Sequence, residues 1–415
     1  MKVAEIIDRH PLSGLQIRVL VLCFFVVLVD GYDLAAIGYV APALHQAWGL
    51  TPAQLAPAFG AGLFGLLIGS LLFGPLADRR GRKPVLMLSM AVFAVGTLAC
   101  AFSTSIEMLI ALRFVTGLGL GGAAPTCITL AAEVSPARRR VLLVTLSASG
   151  FTLGLALGGE LAAQIIPAFG WRGVLAAGAL APLLLVPVLA MWLPESPRFL
   201  AERHERAAAS PVTQLFAGGL AARTLLLWLT FFASLFMFYL LMSWLPTVMT
   251  RSGRSIAEAA RIGAMVPLGG TVGAILLALV VDREGSPRVL VAAYALSALA
   301  LVAVGQTMGD PVWLAVAVFL AGFGIAGAQN GINLVAATMY PTEARTTGVS
   351  WASAAGRVGS IAGSMIGAPL MAAASGPRAL FAWMALPALV AAAALAMLGW
   401  ARVRQTTRGR RLVLP

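Results

Sequence analysis

The chain has 415 residues, of which 60% are hydrophobic and only 11% are charged, and its formal net charge is +13. This composition excludes an ordinary soluble domain, because the exposed helix faces of such a domain carry many more charged residues. The apolar residues come in blocks of about twenty or more, which is long enough to cross a hydrocarbon core of roughly 30 Å. We therefore predict an all-α membrane protein that crosses the bilayer many times.

Twelve transmembrane helices are predicted from the apolar blocks. The first block follows a polar segment, residues 1–16, and is too long for a cleavable signal peptide, so we interpret it as an uncleaved span. The predicted spans are residues 17–43, 53–77, 84–102, 106–132, 141–167, 173–193, 223–249, 260–281, 289–308, 312–338, 347–374 and 379–400.

The basic residues are distributed unevenly between the predicted connections. If the N-terminus lies inside, most Lys and Arg residues fall in segments that face the cytoplasm. The outer connections contain only Arg172, Arg251, Arg254, Arg261 and Arg378. By the positive-inside rule, both termini are expected in the cytoplasm. The excess of basic charge therefore predicts orientation and contact with anionic membrane lipid, and not binding to nucleic acid.

The two halves of the chain repeat each other. A shift of 205 residues brings Pro136 onto Pro341 and Arg140 onto Arg345. Six spans per repeat is an even number, so both halves should run through the membrane in the same sense. The domain prediction is given by four ranges: a first six-helix bundle at 1–193, a central cytoplasmic loop at 194–222, a second six-helix bundle at 223–400 and a cytoplasmic tail at 401–415.

The loop between the second and third spans carries a cluster of charges. Gly81 allows a tight turn, and Asp78 lies at a helix end close to Arg82. The corresponding region of the second half contains Asp282 in a thinner version of the loop, and Arg345 after its fourth span. Such charges can hold the cytoplasmic helix ends together in one state and release them in another, so we predict a gating role for these five residues.

The gating loop, GPLADRRGRK, resembles the signature loop of the major facilitator superfamily, whose members have two parallel six-helix bundles. Within that superfamily, DGYDLAAIGYVAP at 30–42 is similar to the DG(F/Y)D segment of the aromatic acid:proton symporters. Further similarity lies at Arg113 with its following glycines, at 327–333 and at 340–359, and the likeness covers nearly the whole chain. The resemblance implies uptake of a hydroxybenzoate-, protocatechuate- or benzoate-like acid with protons as coupling ion, without a cofactor, in a bacterial inner membrane.

Asp30 and Asp33 are predicted to carry the coupling proton. They lie three residues apart on one face of the first span, where a buried carboxylate must be protonated or paired. Arg113 enters the fourth span from its outer end and is within reach of either aspartate. The alternative is a permanent structural ion pair. The resemblance adds Glu133, at the cytoplasmic end of the fourth span, although a gate-stabilising network would also explain that residue.

Arg357 is predicted to bind the substrate carboxylate. It lies near the midplane of the eleventh span, and its planar guanidinium group suits a carboxylate bidentately. Amide groups for hydrogen bonds and aromatic rings for stacking complete the candidate site: Gln329, Asn330, Asn333, Tyr32 and Trp351. The alternative is that Arg357 supports helix packing and that the aromatic side chains face lipid.

Two departures from the aromatic acid pattern leave other substrates open. The loop at Asp282 is a weak version of the motif, and Glu160 stands in the fifth span where an apolar residue is expected. Another small organic acid or a sugar acid is therefore the alternative substrate. A drug:proton antiporter is disfavoured because the fifth span lacks a Gly-Pro pair. Nothing resembles a P-loop, a metal site or a nucleophile triad, so the chain is not expected to be an enzyme.

Overall fold

The chain is helical throughout the part that the computed structural model describes, which comprises residues 12–196, 212–217, 220–284, 286–341 and 344–411. The α-helices are α1 Gly14–Trp48, α2 Pro52–Arg80, α3 Arg82–Ala101, α4 Ile106–Val134, α5 Arg140–Trp192, α6 Ala221–Arg251, α7 Ile256–Glu284, α8 Ser286–Gln306, α9 Pro311–Ile325, α10 Gln329–Met339, α11 Arg345–Ala373, α12 Pro377–Met384 and α13 Leu386–Arg411. Short 3₁₀ helices occupy Ala137–Arg139 and Val212–Phe216.

The predicted spans all fall on these helices, which confirms the all-α prediction for the described residues. Within this part of the chain, nine helical segments are long and apolar enough to cross a membrane. One of them, α5, contains two predicted spans. It turns at Gly170, whose φ of 66° and ψ of −172° are accessible mainly to glycine.

Two predicted spans, 312–338 and 379–400, each contain one interruption of the helix, and the second is still one of the nine segments able to cross a membrane. The first is interrupted between Ile325 and Gln329, where Gly327 follows two other glycines and the tendency to form helix is low. The second is interrupted at Ala385, and its proline is at position 387. A proline ring clashes with the carbonyl group four residues earlier and has no N–H to donate, so a continuous helix is disfavoured there.

The chain divides into two compact units. The first comprises Met1–Arg206 with Leu245–Ala264, and the second comprises Ala207–Trp244 with Met265–Pro415. The end of α6 and the start of α7 therefore group with the first unit. The predicted central loop at 194–222 lies largely outside the described residues, and α13 continues to Arg411 within the predicted tail at 401–415.

Glycines bring the helices of the first unit into close contact. Gly154 of α5 lies against the backbone carbonyl of Leu28 in α1, and Gly117 of α4 lies against that of Gly62 in α2. A side chain at either glycine would collide with backbone, which cannot move aside as a flexible side chain can. Small residues of this kind allow membrane helices to pack with their backbones close together.

The second unit uses the same contacts at positions shifted by the internal repeat. Gly359 of α11 lies against the carbonyl of Phe232 in α6, and Gly322 of α9 lies against that of Val266 in α7. Gly154 and Gly117 shifted by 205 residues give Gly359 and Gly322. The repeat read from the sequence is thus confirmed as a repeat of helix packing.

Candidate functional site

A buried ion pair joins α1 to α4. Arg113 Nη1 donates to Asp33 Oδ2 at 2.7 Å, and the two side chains are 2% and 0% exposed. The contact between Arg113 and an aspartate of the first span is confirmed, and the structure selects Asp33. An arginine–carboxylate bond of this length in an apolar setting is strong and costly to break on one side only.

Two further residues complete the surroundings of this pair. Thr97 of α3 donates its hydroxyl to Asp33 Oδ1 at 3.0 Å, so both carboxylate oxygens accept a hydrogen bond. Gly62 of α2 lies beside the guanidinium, and a Cβ at this position would be 3.3 Å from Arg113 Nη2. Neither residue is predictable from the sequence, because a threonine or a glycine in an apolar helix carries no distinguishing signal.

Asp30 is also buried, with 3% of its surface exposed, one turn before Asp33 on α1. It lies within electrostatic range of Cys127 on α4. Asp33, one turn further along the same helix, pairs with Arg113, which precedes Cys127 by 14 positions on α4.

Glu133 lies in a different cluster from the buried pair. Its Oε1 accepts from Arg82 Nη2 at 2.9 Å, and the same guanidinium nitrogen is 3.4 Å from Asp78 Oδ1. Because Glu133 follows Arg113 by 20 positions on α4, about 30 Å of helical rise separates the two. The structure therefore places Glu133 with the predicted gating residues Asp78, Gly81 and Arg82, as the gate-network alternative requires.

Glu195 holds this cluster from the end of α5. Its carboxylate accepts from the backbone N–H of Arg82 at 2.8 Å and from that of Lys83 at 3.2 Å. These are the first residues of α3, and its N-cap residue, Gly81, has no side chain to satisfy them. Gly81 itself has a φ of 104°, which other residues rarely adopt. The role of Glu195 was missed, although the segment PESPR that contains it is distinctive in the sequence.

Arg357 of α11 is partly exposed, and its guanidinium makes no hydrogen bond or ion pair with the residues that the structure describes. Its backbone carbonyl accepts a further hydrogen bond from Ser360 Oγ at 2.7 Å. This differs from Arg113, whose charge is neutralised by Asp33. An arginine in a transmembrane helix normally has an anionic partner, so the arrangement is suited to an anionic ligand.

Gln329, the first residue of α10, belongs to a buried hydrogen-bond chain. Tyr294 of α8 donates to Ser234 Oγ of α6 at 2.7 Å, and Ser234 donates to Gln329 Oε1 at 3.2 Å. Tyr294 and Ser234 are 0% and 1% exposed. Neither residue was selected from the sequence. Asn333, one turn further along α10, is partly exposed.

The predicted aromatic residues contact side chains and backbone of their own units. Trp351 stacks on Trp228, with ring centroids 5.8 Å apart and planes inclined by 15°, and it is 44% exposed. Tyr32 is buried in the first unit and donates to the carbonyl of Val174 at 2.9 Å. Their contact with substrate stays a prediction.

The remaining predicted residues are only partly described. Arg345 is the exposed first residue of α11. Asp282 and Asn330 lie in α7 and α10, but their side chains are outside the described part of the structure. Glu160, whose role the sequence left open, forms a half-exposed ion pair with Arg261 at 3.4 Å within the first unit.

Comparison with known proteins identifies the family of the chain. The profile of the Major Facilitator Superfamily matches residues 23–283 and 227–412. The chain belongs to this superfamily. It is therefore a multi-pass membrane transporter and not an enzyme, in agreement with the sequence-based prediction.

The chain is similar to named transporters over nearly its whole length. It is 43% identical to a gallate transporter of Pseudomonas putida, with 97% of this chain and 96% of the relative covered. It is 42% identical to the 4-hydroxybenzoate transporter PcaK of Pseudomonas aeruginosa, with 96% of each chain covered. The structure of a D-xylose-proton symporter matches with a TM-score of 0.76 at 18% identity, covering 91% of this chain and 97% of the other, which establishes the fold alone.

Removing the Glu195 carboxylate from this transporter should lower its stability. We expect Glu195→Ala to reduce the free energy of unfolding by about 1–2 kcal/mol, because two N–H groups at the start of α3 lose their acceptor. Thermal unfolding in detergent measures the change. Glu195→Gln keeps a carbonyl oxygen as acceptor and should lose clearly less; equal losses for both substitutions, or none for Ala, would contradict the capping role.

The predicted gating role of Asp78, Arg82 and Glu133 implies a graded effect of substitutions on turnover. Asp78→Asn should slow transport only about twofold to fivefold, since Asp78 is 64% exposed and its 3.4 Å pair with Arg82 is screened by water. Glu133→Gln should slow transport more, because Glu133 and Arg82 are each only 13% exposed. Transport rates and equilibrium binding are measured on the same preparations. A binding defect without a change in turnover would contradict the gating role of these residues.

Proposed function

We propose that this transporter imports a small aromatic carboxylate, of the hydroxybenzoate type, together with protons by alternating access. The proposal rests on Arg357 of α11. This arginine lies in a helix of a transporter and has no anionic partner among the described residues. The names of the full-length relatives, a gallate transporter and a 4-hydroxybenzoate transporter, support an aromatic acid as the missing anion.

Arg357 binds the carboxylate of the substrate in this proposal. By helical rise, Arg357 lies 12 residues, or about 18 Å, from the start of α11. Gln329 lies 10 residues, or about 15 Å, from the end of α10, and these two helix ends are joined by the short segment 340–344. The two side chains therefore lie at similar depth within the second unit. Asn333, and Asn330 by its sequence position, add amide groups for the ring hydroxyls.

Asp33 carries the coupling proton in this proposal. Deprotonated, it binds Arg113 and fixes α1 to α4 and, through Thr97, to α3. Protonation removes the negative charge and weakens the hold on Arg113, so the three helices are free to rearrange. A buried carboxylate that alternates between pairing and protonation provides the link between proton entry and a change of conformation.

The proposed setting is the inner membrane of a bacterium, with both termini in the cytoplasm. The distribution of basic residues supports this orientation and contact with anionic lipid. The function requires protons as the coupling ion and no bound cofactor.

Transport in liposomes tests the proposal. Purified protein is given an inward proton gradient and a panel of benzoate, 4-hydroxybenzoate, gallate, phenylpropionates, muconate and xylose. We expect concentrative uptake of the hydroxybenzoates that stops when a protonophore collapses the gradient. Uptake confined to muconate or to the sugar would reject the aromatic class. Uptake of hydroxybenzoates that ignores the gradient would reject proton coupling.

A further inference from the structure

The buried chain from Tyr294 through Ser234 to Gln329 fixes the direction of an amide group. The phenol of Tyr294 is fully buried, and its only hydrogen-bond partner among the described residues is Ser234. A buried hydroxyl whose proton has no acceptor is costly, so Tyr294 must donate to Ser234 Oγ.

The direction of that first bond determines the next one. Once Ser234 Oγ accepts from Tyr294, its own proton needs an acceptor, and the atom at 3.2 Å is an oxygen of Gln329. The amide nitrogen of Gln329 has no lone pair for this purpose. Gln329 therefore has its Oε1 turned toward Ser234 and its NH₂ group turned away.

The NH₂ group of Gln329 makes no hydrogen bond with the described part of the chain, and Gln329 is partly exposed. By helical rise it lies at about the depth of Arg357, which is also a donor without an acceptor among the described residues. Both groups are donors and neither can accept, which is the requirement of a carboxylate and not of a hydroxyl proton.

We propose that Tyr294, acting through Ser234, is a positioning residue that holds Gln329 as a hydrogen-bond donor to the substrate carboxylate, beside Arg357. This inference rests on the proposed function and adds a specificity rule to it. Recognition through Gln329 depends on the carboxylate, and it is indifferent to the hydroxyl groups on the ring. Tyr294 itself does not touch the substrate.

Equilibrium binding of benzoate and of 4-hydroxybenzoate, measured by calorimetry, tests the rule. Tyr294→Phe and Ser234→Ala should each weaken binding of the two acids by the same factor, about fivefold, the equivalent of one ordinary hydrogen bond. The maximal transport rate should change little. A second buried hydroxyl of α8, that of Ser297, donates only to the backbone carbonyls of Ala293 and Ala321 at 3.1 Å among the described residues, and neither is a predicted binding residue. Ser297→Ala is therefore the matched control and should bind both acids normally.

Gln329→Glu tests the direction of the amide itself. A glutamate accepts from Ser234 equally well but turns a negative oxygen toward the carboxylate, so binding should fall about a hundredfold for both acids. If Gln329 instead presented its oxygen to a ring hydroxyl, this variant would retain 4-hydroxybenzoate, and that result would overturn the proposal.

The remaining outcomes are equally decisive. Unchanged binding in both Tyr294→Phe and Ser234→Ala would show that the chain does not position Gln329. A loss confined to 4-hydroxybenzoate would show that Gln329 contacts the ring hydroxyl. If Tyr294→Phe does not fold, Ser234→Ala carries the test. Failure of the wild type to bind any aromatic acid would reject the proposed function itself, which is distinguishable from a wild type that binds while the variants do not respond.

Discussion

Asp33→Asn is expected to abolish accumulation of substrate driven by a proton gradient, while substrate binding and substrate exchange survive. Asparagine has the shape of a protonated aspartate, so its oxygen still accepts from Thr97, but it cannot gain or lose a proton. The carrier should then be fixed in the protonated form and unable to use the gradient. Gradient-driven uptake and counterflow, measured in the same liposomes, separate the two activities.

The Asp33→Asn variant needs a control for folding, because Arg113 loses its buried partner. Breaking one side of a buried pair costs about 3–5 kcal/mol, whereas replacing both charges is often close to neutral. We therefore expect Asp33→Asn combined with Arg113→Gln to unfold at a higher temperature than Asp33→Asn alone.

Glu160→Gln provides a matched control for transport. Glu160 is another acid of the same unit, but its pair with Arg261 is half exposed and contributes little. This variant should accumulate substrate normally. If Asp33→Asn and Asp30→Asn both still concentrate substrate, the buried pair is a permanent structural element and the proton travels through another group.

The helices and their repeat were predictable from the sequence because both depend on patterns within short segments. Long apolar blocks specify spans, and glycines at a constant shift specify which helices approach closely. Gly154 and Gly359 illustrate this, since each lies against a carbonyl of the helix that begins its own six-span repeat. The interruptions at Ala385 and between α9 and α10 were missed, because hydropathy averages over the residues that break a helix.

The candidate site was only partly predictable, because its residues depart from the repeat. The positions that correspond to Asp33 and Arg113 in the second unit hold Phe238 and Val318, both buried. Charges in apolar helices are visible in the sequence, so Asp33, Arg113 and Arg357 were found. Thr97 and Tyr294 act through hydroxyl groups that hydrogen-bond to residues 60 or more positions away, and no local pattern distinguishes them from packing residues.

Arg113 and Arg357 are the two candidates for the residue that binds the substrate carboxylate. Arg113 is committed to Asp33 at 2.7 Å and is closely flanked by Gly62, so a substrate would have to displace a buried charge to reach it. Arg357 has no such competitor among the described residues.

Arg357→Lys should therefore weaken substrate binding about tenfold to a hundredfold, because lysine keeps the charge but loses the planar pair of donors. Stability should change little, since the guanidinium makes no hydrogen bond or ion pair with the rest of the described chain. Arg378→Lys, at an exposed arginine of the same unit, is the matched control and should bind normally.

Coupling should also persist in Arg357→Lys: at saturating substrate, uptake should still respond to the proton gradient, because Asp33 and Arg113 are intact. An unchanged dissociation constant in Arg357→Lys, together with weakened binding in Arg113→Lys, would show that Arg113 binds the substrate carboxylate. One arginine would then take part in both proton coupling and substrate binding.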